Sequence, residues 1–391
     1  MVPLWILPLR LEQFWGIYMR PILMFTVAMF ACAPVAHASP TFILTDVGGV
    51  GVGTPARAAF ETAAAVWSSE FTNNVTIRLN VGLEKFGLGV LAATGSNGTE
   101  VSYGAVRTAL GQGATSANDR SAYASLAPTL SFESNAIAGQ APTAAVHALE
   151  NNPANGDTQL LWANTANAKA LGLISSSDTS FDGSVIFNSS YHYTFDRSQG
   201  VAKRTYDFVG LAEHEIAHAL GFVSGVDTED AMISWGMPGL EAGSWGSVLD
   251  LFRYQNGQRD WTVGGNPCLS VDGGHTCGAH FATGQDNGDG AQASHWRPGS
   301  GLGIMNPSLA TGVEPAISAN DLQALDVIGW NLSPQASAAN GHVQWATKTN
   351  SPTSGSWSQD KELVNVAEPG VAGLFALAVI PLARRRRSSR G

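Results

Sequence analysis

One stretch, Leu211–Val226 (LAEHEIAHALGFVSGV), constrains this chain more than any other. His214 and His218 are four residues apart, so on a helix they project from one face, one turn above the other. Glu215 sits beside the first of them. Two neutral imidazoles at that spacing can fill two positions of a tetrahedral zinc ion, and the adjoining carboxylate can hold a water. The flanks predict the helix: Leu211, Ile216, Ala217 and Leu220 are apolar, with no Pro or Gly between Leu211 and Leu220. Gly221 follows where a helix commonly ends in a left-handed turn. The plain alternative, two surface histidines that bind nothing, fits less well with a match that lies on a predicted helix and stops at Gly.

His214, Glu215, His218 and Gly221 spell HExxHxxG, which resembles the metzincin zinc peptidases, whose motif adds a third His and a distant Met-turn. Here the third-ligand position holds Ser224, a poor zinc ligand. Two residues could replace it. Asp227 is close by, and His295 lies in ASHWRPGSGLGIMNP. The latter segment resembles the leishmanolysin-type metzincins, in which a long insertion separates HExxHxxGF from a downstream His-Trp. Phe222 matches that GF, and His295-Trp296 comes ten residues before Met305 in GIMNP. His295 is preferred, since three-His sites are a well-attested catalytic zinc set.

The resemblance implies an α+β fold over 39–332, split near 221. An N-terminal twisted mixed sheet with helices, including the zinc-binding helix, would precede a smaller loop-rich C-terminal subdomain with a Met-turn and a final helix. It implies one catalytic Zn²⁺ on His214, His218 and His295, Glu215 as general base in peptide-bond hydrolysis, and Met305 as an apolar floor. It also implies that Val185, Ile186, Phe187 and Asn188 belong to an edge strand on which substrate pairs.

The residue pattern outlines the elements. Thr54-Pro55 starts a helix to about Phe71, and Val75–Val81 alternates as a strand. Thr94 to Thr143 is rich in Ala, Ser, Thr and Gly, with short helices over Tyr103–Leu110 and Ala117–Leu126 and no evident catalytic residue. Ala166–Leu173 reads as a helix and Ser184–Tyr193 as a strand, with His192 a strand-end polar residue. Asp207 caps the His helix from Phe208. Trp235, Trp245 and Trp261 are expected to pack the insertion, Ser224 to Ala293. Asp286-Asn287-Gly288-Asp289-Gly290 resembles a Ca²⁺ turn but lacks EF-hand spacing, so a plain turn is favoured. Ile317–Trp330 reads as a helix capped by Ser318 with Asp321 three residues on.

Compartment follows from the ends. Residues 1–38 read as a signal peptide cleaved by signal peptidase after Ala36-His37-Ala38, with Met1 or Met19 as the start. Cys268 and Cys277 then form an even pair, read as a disulfide in an exported protein, or as a metal site with His275 or His280. Residues 333–366 are polar and read as a flexible linker. In 367–391, Glu368-Pro369-Gly370 precedes the apolar run Val371–Ala383 and Arg384–Arg387. This resembles the PEP-CTERM sorting signal, although Ala367 stands where its first Pro often falls. The resemblance implies an exosortase-type partner, membrane contact through the C-terminal segment, and export across the inner membrane of a Gram-negative bacterium to the surface or medium. A plain C-terminal anchor is the alternative. Between 39 and 367 there are 14 basic and 29 acidic residues, which argues against nucleic acid as a partner. The expectation is a monomeric zinc endopeptidase acting on protein or peptide. A surface adhesin keeping the scaffold, or a hydrolase of glycans or esters, are the rivals.

Overall fold

The computed structural model describes residues 39–135, 142–153, 156–236 and 246–334, with the strands His342–Ala346 and Glu368–Pro369. The leader, most of 333–366, and the apolar and basic parts of the tail lie outside the described residues, as does Trp245.

Short apolar runs build the central twisted sheet. Its strands are β1 (Thr41–Gly48), β2 (Thr76–Glu84), β3 (Ala92–Ser96), β4 (Gly183–Asn188), β5 (His342–Ala346) and β6 (Glu368–Pro369), in the order β5-β1-β2-β4-β3-β6. Every neighbouring pair is parallel except β3 and β4, which run antiparallel. Seven helices among the described residues complete a mixed α+β architecture: α1 (Pro55–Glu70), α2 (Tyr103–Gly113), α3 (Ala117–Ser125), α4 (Thr165–Ala170), α5 (Phe208–Leu220), α6 (Val226–Trp235) and α7 (Ala319–Val327). None is long and apolar enough to cross a membrane. All described residues belong to one compact unit, Ala38–Gly391.

The core fixes α5 in place. Thr54 caps α1 by accepting from Arg57 N, and the helix buries Phe60, Ala63, Ala64 and Trp67. Trp67 Nε1 donates to Glu213 O at 2.8 Å, tying α1 to α5. Phe187 of β4 stacks on Phe208 of α5 at 4.0 Å, and Phe60 meets both rings edge-on at 5.1 and 5.0 Å. One aromatic cluster therefore joins both helices to the sheet.

Three expectations are corrected. Val185, Ile186, Phe187 and Asn188 do not form an edge: β4 is bonded to β2 on one side and β3 on the other. Its run of buried apolar residues is the pattern of a strand covered on both faces. Beyond it lies the antiparallel β3, paired on its far side with β6. The strand stops at Asn188, not Tyr193. The Asn188 side chain donates to Gly87 O and Val90 O and accepts from Ser190 N, which turns the chain. Second, the 333–366 stretch is not linker throughout. HVQWA at 342–346 alternates with period two and pairs with the free edge of β1. Third, Trp235 ends α6 in solvent, 57% exposed, where Gly236 takes a left-handed φ of 59°. Trp261 is buried, stacked at 3.7 Å on Phe132, with Nε1 donating to Asp250 O.

Candidate metal centre

The helix that carries the paired histidines is bounded as its sequence predicts. Asp207 accepts from Val209 N at 3.1 Å, and Gly221 closes α5 with φ 116°. Only glycine adopts that conformation without strain, and a Cβ there would press on Asn167 and Ile328 at 3.1 Å. The turn brings Phe222 O back over the helix end, where it lies 2.7 Å from His218 Nδ1. Every residue of α5 is buried.

The structure brings His214, His218 and His295 together, all buried. Each ring has a backbone carbonyl at Nδ1: Ile304 O at 2.6 Å for His214, Phe222 O at 2.7 Å for His218, Gln292 O at 3.3 Å for His295. A carbonyl can only accept, so each Nδ1 carries the proton and each Nε2 is left with a lone pair. The three Nε2 atoms lie 3.1, 3.3 and 3.3 Å apart. Three lone pairs at that range have no proton to share, and a cation among them removes the conflict. Nitrogens about 2.0–2.1 Å from a tetrahedral ion sit about 3.3 Å from one another, so the donor set fits such an ion. Burial holds the His214 pKa down to about 4. Burial, and then the neighbouring rings, push His218 well below its usual value. Both are thus neutral, the form that ligates. Among the described residues no other group of three His, Cys, Asp or Glu side chains is placed to hold a metal.

Glu215 stands beside this group, fully buried. Its Oε2 accepts from Thr94 Oγ1 at 2.6 Å, while its Oε1 has no partner. Burial raises its pKa to about 8, against the lowering effect of the Thr94 bond. A cation next to the carboxylate would draw that value down.

The floor of the site is tied to α7. Asp321 accepts from Trp296 Nε1, Ile304 N, Met305 N and Ser318 N at 2.7–3.2 Å. One buried carboxylate thus holds the residue after His295, the turn whose Ile304 O orients His214, and the cap of α7. Gly303 is required there, since a Cβ would collide with that carboxylate. Met305 is fully buried in the same turn.

The remaining candidates lie apart. Ser224 Oγ donates to Asp250 at 2.6 Å. Asp227 accepts from Ala293 N and from the amide and hydroxyl of Ser294. His192 is exposed. Cys268 and Cys277 are joined in a disulfide. In the 286–290 turn, Asp289 accepts from Thr283 N, while the amides of Asp286 and Asn287 donate to Asp230. A cavity of about 510 Å³ opens beside His214, lined by Leu211, Ile304, Leu309, Val313, Pro315 and Ile317 among others.

No family model, curated protein or solved structure matches the chain.

Sequence reasoning missed Thr94, in a segment with no evident catalytic residue. Nothing in AATGS marks a threonine that folds against Glu215. It saw Asp321 only as a capping-box residue, although a buried acid shared between a cap and a neighbouring turn is legible only in three dimensions.

Proposed function

We propose that this chain is an exported zinc endopeptidase of metzincin type. The observation that carries the reading is the set of three Nε2 lone pairs within 3.3 Å, next to a buried carboxylate with one free oxygen. His214, His218 and His295 would hold one Zn²⁺. When bound, such an ion lowers the pKa of a water towards about 7 and polarises a carbonyl.

The chain's own groups account for the rest. Thr94 fixes Glu215 Oε2, which leaves Oε1 to take the proton of the attacking water and pass it to the leaving amine. The uncharged side chains named in the cavity beside His214 suit an uncharged substrate side chain. Beyond β4 lies β3, and an extended substrate would pair with its outer side in place of β6. Glu368–Pro369 already pairs there with Ala93 and Thr94, so an extended segment fits that edge. Export with removal of the leader by signal peptidase, and sorting by an exosortase-type enzyme, are the parts of the proposal that rest on the leader and the tail.

Zinc content and casein turnover test the reading. Glu215→Ala should keep its zinc and lose at least about 100-fold in rate. Near-normal turnover in the variant, or zinc-loaded wild type without turnover, refutes it.

A further inference from the structure

His214 and His218 are held by a helix, but His295 stands on a turn with no helix or strand beneath it. That turn, 292–295, contains both the ring and the carbonyl that orients it, since His295 Nδ1 lies 3.3 Å from Gln292 O. Between them are Ala293 and Ser294, and both amides donate to the Asp227 carboxylate, at 2.5 and 3.1 Å. The Ser294 hydroxyl donates to the same group and also accepts from Ser224 N at 2.9 Å. Asp227 is 6% exposed and lies in the first turn of α6, six residues past Gly221. It comes from the segment that directly continues the helix of the other two rings.

We propose that Asp227 is the positioning residue for His295. Its carboxylate caps the 292–295 turn and sets the distance of the third imidazole from the first two. This rests on the metal-centre reading above. Asp227 would not itself touch the ion: its two oxygens face Ala293 and Ser294, and it is absent from the cluster that can hold a metal. Without it, the two buried amides and the Ser294 hydroxyl lose the acceptor that ties the turn to α6, so His295 would drift from the other two Nε2 atoms.

The test measures zinc affinity by competition with a chromogenic chelator, and the visible spectrum after Co²⁺ substitution. Both are read on the full chain for Asp227→Ala, His295→Ala and the double variant. Asp227→Ala should bind zinc about 10–100-fold more weakly, the loss expected when a ligand's support is removed. Its Co²⁺ spectrum should move towards that of His295→Ala. In the His295→Ala background, Asp227→Ala should cost less than about 2-fold more, because its effect passes through the ring already lost. Asp227→Asn should lose less than Asp227→Ala, since its amide oxygen still accepts one N–H. Wild-type affinity in Asp227→Ala, or a full additional loss in the double variant, overturns the inference. If Asp227→Ala does not fold, Asp227→Asn carries the same two comparisons: a loss that vanishes in the His295→Ala background supports it, and no loss or an additive loss overturns it. Wild-type affinity in His295→Ala would instead break the metal-centre reading itself.

Discussion

Two halves of the centre are held in different ways. His214 and His218 share α5, and one turn of helix sets their spacing. His295 arrives 77 residues after His218, and its surroundings are ordered by buried carboxylates: Asp227 on its own turn, Asp321 on its neighbour Trp296, Asp250 on Ser224 and Gly225. A helix satisfies its own amides, so it can present two ligands with little outside help. A loop in a dry interior leaves amides without partners, and here Asp side chains supply the acceptors. The difference explains why the loop half carries most of the buried acids near the site.

If both halves matter equally to the ion, His295→Ala and His218→Ala should each weaken zinc binding by more than about 100-fold, beyond the loss from any supporting residue. Chelator competition on the two variants side by side would show it. A much smaller loss for His295→Ala would make the loop half auxiliary. Next in size, Asp321→Ala leaves three buried donors, Trp296 Nε1, Ile304 N and Met305 N, without an acceptor and should cost at least about 3 kcal/mol in stability. Urea midpoints measured with metal chelated isolate that cost from the ion. A loss under about 1 kcal/mol would mean that the loop half does not depend on its carboxylates.

Thr94→Val probes the helix half from the sheet side. It keeps the side-chain shape but removes the hydroxyl at Glu215, so turnover should fall about 10-fold with zinc content unchanged. Thr94→Ser should restore most of it. The smallest effect falls on the frame behind the loop half. Asp326 of α7 is buried with one oxygen unpartnered, and burial, with Asp119's charge nearby, raises its pKa to about 7. The folded state therefore holds this proton more tightly than the unfolded chain. The stability it lends is full below the ordinary 3.8 and is lost as pH rises through about 7. Asp326→Asn should flatten the fall in urea midpoint between about pH 4 and about pH 7. An unchanged slope would assign the pH dependence elsewhere.

Legibility in the sequence divides along the same line. Helix α5, its Asp207 cap and its Gly221 stop follow from local pattern, as do Thr54-Pro55 at the start of α1 and the Ser318–Asp321 box of α7. His295 could be named beforehand only through the His-Trp and Met-containing segments, since nothing local says where a loop returns. Pairing in the sheet was hidden for the same reason. The run at Val185–Phe187 says that a strand is buried, but not which neighbour lies outside it. Likewise HVQWA sits in a polar stretch, and its strand exists because β1 offers an edge. Thr94 and Asp227 acquire their roles only when distant segments meet.

The neck formed where Ser224 N meets Ser294 Oγ has a consequence for how such a chain can change. The 69 residues between Ser224 and Ser294 leave and return through it, with their ends already joined by that hydrogen bond. The entropy of closing a loop grows only with the logarithm of its length, and doubling it costs about 0.6 kcal/mol. Residues can be added to or trimmed from the outer part of this excursion at little thermodynamic cost, while the neck keeps His295 facing the helix. The excursion is thus a place where new surface can accumulate without the three imidazoles registering it.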